Sequence, residues 1–165
     1  MTDKDFMERA IELSRCALTE SGTEPFGAVV VKDGEIVGEG LNRVAAHFDP
    51  TSHGEVEAIR DACHKLRCTD LSGCDLYTSC EPCSLCVAAM RIAGIRHLYY
   101  AASLEGSERA LDAVSPEVRP RLDVVALRTE VGLPVERRRM PSTRLMDADA
   151  VAVLKAWAAK HRASP

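Results

Sequence analysis

Apolar and polar positions alternate along the first twenty residues with the period of a helix. The apolar side chains recur every three or four positions, at Phe6, Ala10, Leu13, Ala17 and Leu18. This spacing puts them on one face, so residues 2–21 are predicted to form an amphipathic helix. Thr2 can accept a hydrogen bond from the first turn, and Asp5, three residues later, fits the capping pattern that marks a helix start.

The pattern then changes to short apolar runs of the β type. Runs at 26–32 and 35–41 are joined by Asp33-Gly34, a residue pair typical of a tight β-hairpin. Downstream, the pattern predicts helices at 54–66, 84–93 and 148–160 and strands at 75–79 and 97–101. Residues 107–114 and 123–131 fit a helix, and the second segment also fits a partial strand. A hairpin followed by alternating strands and helices predicts an α/β fold, a three-layer α/β/α sandwich on a mixed sheet.

Length and charge narrow the class of protein. The chain has 165 residues and a formal net charge of −4, which suits a single domain over residues 1–165. A protein that grips a nucleic-acid backbone usually has a basic surplus, so a small-molecule substrate is favoured over nucleic acid. The sequence has neither the apolar run of a signal peptide nor a stretch long enough to span a membrane. Its seven cysteines therefore predict a reducing, cytoplasmic location.

Two short motifs, thirty residues apart, carry the candidate chemistry. The first is His53-x-Glu55 and the second is Cys83-x-x-Cys86, each at the start of a predicted helix. One imidazole and two thiolates make three zinc ligands, and a catalytic zinc keeps its fourth position open. A carboxylate beside that position can move protons between water and a leaving amine, which assigns this role to Glu55. The same paired signature is typical of zinc deaminases.

Two other interpretations of these residues stay open. The cysteines could hold a structural zinc that includes Cys80, with a fourth ligand drawn from Cys63, His64, Cys68 or Cys74. The chain could also be a metal-binding scaffold without activity. Both leave Glu55 unexplained, because neither has a use for an acid beside an open metal position.

The chain resembles the cytidine-deaminase-like superfamily and, within it, the bacterial guanine deaminases. The resemblance rests on the blocks PFGAVVVKDGEIVGEGLN, DPTSHGEVEAIR and LYTSCEPCSLC, and further on EVGLPVERRRMP and AVLKAWAAK. It implies a three-layer α/β/α fold with a central mixed five-stranded sheet, one zinc per chain and a homodimer. It also implies that His53, Cys83 and Cys86 bind the metal and that Glu55 shuttles protons.

The resemblance further matches Phe26 and Asn42 to positions that line the base pocket. An amide both donates and accepts, as the edge of a base requires, but Asn42 also fits a turn residue that follows the second strand. Phe26 could stack on a base, and it also fits core packing at the start of a strand.

The segment after the fourth predicted strand departs from the family pattern. It is about ten residues longer and lacks the Phe-Asp-Asp stretch from which the family draws an acidic residue that contacts the purine. Asp112 or Asp123 could replace that residue, and Asp123 is preferred because the sequence after it keeps register with the later blocks. The family's C-terminal aromatic residue is also missing, since the chain ends AAKHRASP.

These departures concern residues that would recognise the substrate, and they leave the metal motifs unchanged. The implied reaction is hydrolytic deamination of a free nucleobase or related aminoheterocycle, with guanine as the first candidate. A cytosine or aminotriazine deaminase is the alternative, and a tRNA adenosine deaminase a further one. The acidic balance and the lack of a basic C-terminal tail argue against tRNA.

Overall fold

Seven helices and four strands are found in residues 1–120 and 122–161, which the computed structural model describes. The helices are α1 (Asp3–Arg15), α2 (Val44–His47), α3 (Gly54–Leu66), α4 (Ser84–Ala93), α5 (Leu104–Leu111), α6 (Val124–Val131) and α7 (Asp147–Lys160). The strands are β1 (Glu24–Lys32), β2 (Glu35–Asn42), β3 (Asp75–Cys80) and β4 (His97–Ala102). None of the helices in this part of the chain is long and apolar enough to cross a bilayer.

Contacts divide the chain into two compact units, Met1–Arg128 and Thr129–Pro165. The first unit holds the whole sheet and helices α1 to α5, and the second holds α7. The single domain inferred from length stays a prediction.

The sheet is mixed, as predicted, and has the strand order β2-β1-β3-β4. β1 pairs antiparallel with both β2 and β3, while β3 pairs parallel with β4. The prediction of five strands is wrong, because the sheet has four strands in the described residues. Residues 123–131, which also fitted a strand, start a helix instead: the Asp123 side chain accepts a hydrogen bond from the Ala126 amide at 2.8 Å.

The β1–β2 hairpin turns at the predicted residue pair. Asp33 and Gly34 both have positive φ, 51° and 81°. Left-handed geometry at both central positions belongs to the type I′ turn, whose twist matches that of the paired strands. The hairpin brings Asn42, at the end of β2, opposite Glu24, at the start of β1.

Apolar side chains cover the two faces of the sheet and separate three layers in the first unit. One face packs under α1, where Phe6 contacts Tyr77, and Tyr77 stacks on Tyr99 with ring centroids 4.4 Å apart. The other face packs under α3 and α4 through Val30, Leu76 and neighbouring residues. These layers agree with the predicted α/β/α arrangement.

Helix α1 is shorter than predicted but begins as expected. Thr2 caps it, and the reciprocal hydrogen bonds with Asp5 form a capping box. The helix ends at Arg15 and continues as a 3₁₀ turn, Cys16–Leu18. Leu18, which was predicted to lie on the apolar face of this helix, is 81% exposed.

Candidate active site

The two sequence motifs meet at the N-terminal ends of α3 and α4. His53 is the N-cap residue of α3 and Cys83 is the N-cap residue of α4. Neither side chain caps its own helix, and both turn towards each other and towards Cys86 in the first turn of α4. The unpaired backbone N–H groups at a helix start favour negative charge, which suits thiolates there.

The three donor atoms have the spacing of a tetrahedral zinc site. His53 Nδ1 lies 3.6 Å from Cys83 Sγ and 3.4 Å from Cys86 Sγ, and the two sulfurs are 3.7 Å apart. Ordinary zinc bond lengths and tetrahedral angles put two sulfurs about 3.8 Å apart, and a sulfur and a nitrogen about 3.5 Å apart. The donor set and its spacing therefore fit zinc.

Cys80 lies outside this group of donor atoms. Among the described residues, His53, Cys83 and Cys86 are the one cluster of three or more donor side chains close enough to hold a metal ion. Cys80 ends β3 as a buried thiol, and its burial raises its pKa. The arrangement thus gives no support to a structural zinc that includes Cys80.

The two thiols differ in acidity. The hydrogen bond between the two sulfurs lowers the pKa of Cys83 to about 4, and the same contact raises the pKa of Cys86. The hydrogen bond to Cys83 also raises the pKa of His53. A thiolate beside an imidazole is the arrangement that precedes metal binding, which requires the remaining thiol proton to leave.

Glu55 lies deep in the site, in the first turn of α3. Its side chain is buried, with 5% of the residue exposed, and burial raises its pKa. One carboxylate oxygen accepts from Thr78 on β3 at 3.4 Å, and the other accepts from Cys86 Sγ at 3.3 Å. A carboxylate with a raised pKa, next to the candidate metal position, is suited to taking up and releasing protons.

A hydrogen-bonded loop holds the start of α3 in place. Ser52 is fully buried, and its hydroxyl donates to Glu57 at 2.9 Å and contacts His47 Nδ1 at 3.1 Å. The Ser52 carbonyl accepts from the Arg43 amide at 2.9 Å. These contacts fix the residue that precedes His53, and they give His47 a structural role.

Glycines let the backbone of α3 lie directly on the sheet. A Cβ on Gly40 of β2 would stand 2.1 Å from the Gly54 carbonyl oxygen, and a Cβ on Gly54 would stand 2.4 Å from the Phe26 carbonyl oxygen. Real Cβ atoms do not approach backbone atoms so closely, so a side chain at either position would push α3 away. Because Gly54 lies between His53 and Glu55, this contact sets the depth of both.

A pocket opens beside these groups, and Phe26 forms part of its wall, while its role towards a base stays a prediction. Its walls carry apolar side chains, thiols and charged groups, namely Phe26, His53, Glu55, Cys80, Glu81, Cys83, Cys86, Leu104, Ser107, Arg119, Leu122 and Val124.

The other three predicted substrate contacts lie elsewhere. Asn42, Asp112 and Asp123 are not among the described residues that line this pocket. Asn42 is buried, and its Oδ1 accepts from the Val44 amide at 3.2 Å, a turn contact. Asp112 lines a neighbouring cavity, while Asp123 starts α6. Their roles towards a substrate stay predictions.

Two charged pocket residues were not singled out from the sequence. Glu81 accepts from the Leu104 amide at 2.9 Å and from Arg128 at 2.8 Å, so it joins the end of β3 to α5 and α6. Arg119 donates to Glu24 at 2.7 Å and lies over the Phe26 ring. Glu81 lies between Cys80 and Cys83, so its position in the cysteine motif could have identified it as a pocket residue. For Arg119 the sequence offered no signal other than its place in the segment that departs from the family pattern.

The comparisons with known proteins agree with this geometry. Residues 1–102 match the family model described as the cytidine and deoxycytidylate deaminase zinc-binding region. The chain belongs to this family. It is a zinc-dependent hydrolytic deaminase, as the paired motifs predicted.

Similar proteins extend the match beyond the family region. Guanine deaminase from Bacillus subtilis is 36% identical over 157 residues, 95% of this chain and 94% of that protein. Its crystal structure has a TM-score of 0.83 at 34% identity, covering 100% of this chain and 98% of that one. A tRNA-specific adenosine deaminase from Agrobacterium fabrum is 44% identical, but over 97 residues, 59% of this chain and 63% of that protein.

We expect Gly40→Ala to disturb the active site from a distance. The new methyl group must displace the Gly54 carbonyl, so α3 shifts and His53 moves relative to Cys83. Overpacking of this kind costs about 1–3 kcal/mol. Chemical denaturation should show the lost stability, and zinc titration should show weaker binding.

Gly132→Ala is the matched control, since the added Cβ would meet no atom closer than 3.7 Å. Equal zinc affinity and stability in Gly40→Ala and the parent protein would contradict the positioning role of this contact.

Proposed function

We propose that the chain removes the exocyclic amine of a free nucleobase, with guanine as the first candidate, and releases ammonia. Two observations support guanine. The similarity to guanine deaminase covers 95% of the chain, whereas the similarity to the tRNA-specific enzyme covers 59%. A guanine deaminase from Nitrosomonas europaea is also similar, with a TM-score of 0.61 at 28% identity over 96% of this chain and 85% of that one.

We further propose that His53, Cys83 and Cys86 hold one zinc ion per chain. The tetrahedral spacing of their donor atoms is the observation that carries the proposal. A zinc ion bound there would act as a Lewis acid and lower the pKa of a coordinated water.

Glu55 is the proposed proton shuttle. It takes a proton from the attacking water and gives it to a ring nitrogen, which makes the amine-bearing carbon more electrophilic. It then assists proton transfer to the departing amine, so that water and the aminoheterocycle become ammonia and the oxo product. The buried carboxylate and its contact with Thr78 support the role, because they hold the group still and let it exist in both protonation states.

A pyrimidine or aminotriazine is the alternative substrate within the same reaction class. The pocket is partly apolar, with Leu104, Leu122 and Val124 in its wall, and a flat ring of either kind suits such a surface. The net charge of −4 does not favour a polyanionic tRNA partner. The cytoplasmic location stays a prediction.

We also propose a homodimer. Val87 and Ile92 are 44% and 87% exposed on α4, the helix whose first turn carries Cys86. Large apolar side chains on one short helix are suited to burial against a second copy of the chain.

Ammonia release tests the substrate. Guanine should be turned over faster than cytosine, adenine, an aminotriazine or tRNA. Asp112→Ala and Asp123→Ala then test the second acidic group: one of them should cripple guanine turnover and spare the zinc content. Ammonia from cytosine or an aminotriazine, with none from guanine, would overturn the substrate and keep the reaction class.

Metal analysis of the purified protein should give about one zinc per chain. His53→Ala and Cys86→Ala should each lose most of it, because two protein ligands hold zinc far more weakly than three. Cys74→Ala is the matched control, a buried thiol outside the cluster. Zinc retained after removal of His53, or lost on removal of Cys80, would contradict the assignment.

We expect Glu55→Gln to keep the fold and the zinc while it loses most turnover. Glutamine preserves size and removes the proton acceptor, and general acid–base catalysis is worth about 10²–10⁴-fold. One group serves several proton transfers here, so the loss should reach the top of that range. Glu35→Gln, an exposed carboxylate on β2, is the control for a carboxylate outside the pocket. Near-normal turnover in zinc-replete Glu55→Gln would rule out the role.

Light scattering tests the homodimer. The parent protein should have twice the mass of one chain, and Ile92→Glu should shift it towards the monomer by burying a charge at the interface. Leu18→Glu changes a residue of similar exposure on the 3₁₀ turn and should not. A monomeric parent protein would refute the proposal.

A further inference from the structure

Arg119 enters the pocket from the segment that departs most from the family pattern. Among the described residues that line the pocket, it is the only lysine or arginine. It also lines the neighbouring cavity. The side chain is 33% exposed, which leaves the guanidinium within reach of a ligand.

Two contacts hold the guanidinium in one orientation. Its Nε donates to Glu24 at 2.7 Å, and its Cζ lies 5.4 Å from the centroid of the Phe26 ring. Glu24 and Phe26 lie two residues apart at the start of β1, so one strand carries both contacts. A guanidinium fixed in this way loses little conformational entropy when it forms further hydrogen bonds.

The same contacts determine which chemistry the side chain can recognise. Glu24 balances the positive charge, so the pair presents directed N–H donors without a net charge. An anionic group such as a phosphate would meet the Glu24 carboxylate as well, and would be held poorly. A neutral acceptor, such as a ring carbonyl, gains the hydrogen bond without that repulsion.

An oxopurine offers two such acceptors side by side. Guanine carries O6 and N7 on one edge, and the planar arginine fork matches this pair with two hydrogen bonds. The amine to be removed lies on the opposite side of the six-membered ring. A base whose amine approaches Glu55 therefore has its acceptor edge available to a donor on another wall of the pocket.

We propose that Arg119, held by Glu24, selects oxopurines by donating hydrogen bonds to the carbonyl oxygen and the adjacent ring nitrogen. This inference rests on the proposed function, since it assumes a purine in this pocket. Glu24 is a positioning residue that acts through Arg119.

Selectivity between guanine and 2,6-diaminopurine is the decisive measurement. The second base has an amino donor where guanine has its carbonyl acceptor, and its N1 is an acceptor where guanine has an N1–H donor, while N7 is the same in both. Arg119→Met should lower kcat/KM for guanine about 10- to 100-fold, the range expected for a bidentate contact. The loss for 2,6-diaminopurine should be less than about threefold, and zinc content should not change.

Arg96→Met is the matched control. Arg96 forms a comparable ion pair with Asp75, at 3.0 and 2.7 Å, and does not line the pocket. It should leave the preference between the two bases unchanged. Equal losses for both bases in Arg119→Met would mean that Arg119 supports the structure only, and would overturn the inference.

Two milder variants cover the case in which Arg119→Met does not fold. Arg119→Lys keeps the charge but loses the fork, and Glu24→Gln keeps the arginine but loosens it. Both should lose preference for guanine while they bind zinc. An unchanged preference in both would overturn the inference.

A binding experiment separates this inference from the proposed function. If the parent protein releases no ammonia from guanine, the proposed function fails. The inference can still be tested by titrating the zinc-loaded Glu55→Gln variant with guanine and with 2,6-diaminopurine. The inference alone would be supported if guanine binds more tightly than 2,6-diaminopurine and this difference disappears in the double variant Glu55→Gln/Arg119→Met. Binding that does not depend on Arg119 would overturn both.

Discussion

The direct contact between the backbone of α3 and the sheet is the constraint on which the rest of the site depends. Gly38 and Gly40 of β2, together with Gly54 of α3, leave no room for a side chain between helix and strands. The helix start is therefore fixed in depth relative to β1 and β3. With α3 at this depth, His53 reaches the two thiols at the start of α4, and Glu55 reaches Thr78 on β3.

The elements that could be predicted from the sequence are those whose sequence signals lie within a few residues of one another. The hairpin at Asp33-Gly34 needs two left-handed residues, and the turn has them. The metal cluster follows from motifs at two helix starts, because an N-cap residue has extended backbone geometry that frees its side chain from the helix. His53 and Cys83 both occupy that position. The glycines of β2 were visible in the sequence, but their role depends on which helix packs there.

Features that depend on distant partners could not be predicted in this way. Asp123 was preferred to Asp112 from sequence register alone; its carboxylate accepts from the Ala126 amide at the start of α6, a contact that register could not reveal, and its role towards a substrate stays a prediction. Asn42 was ambiguous between a base contact and a turn, and its Oδ1 makes the turn contact. Arg119 and its partner Glu24 are 95 residues apart, so no local pattern could reveal that pair.

The buried charges explain why this cluster suits a cation. Glu55, Cys83 and Cys86 could together carry three negative charges within a few ångströms, and isolated buried charges of like sign are strongly unfavourable. The contact with Cys83 raises the pKa of Cys86, and burial raises the pKa of Glu55, so both shifts disfavour the charged forms. A divalent cation among the same donors would offset the charge of both thiolates. In the proposed arrangement Glu55 would stay outside the ligand set and could exchange its proton with a substrate. The glycine contacts set the depth of α3 and so bring the acidic groups together. A cation bound by the two thiolates would make this proximity favourable, and Glu55 could then serve the proposed proton transfers.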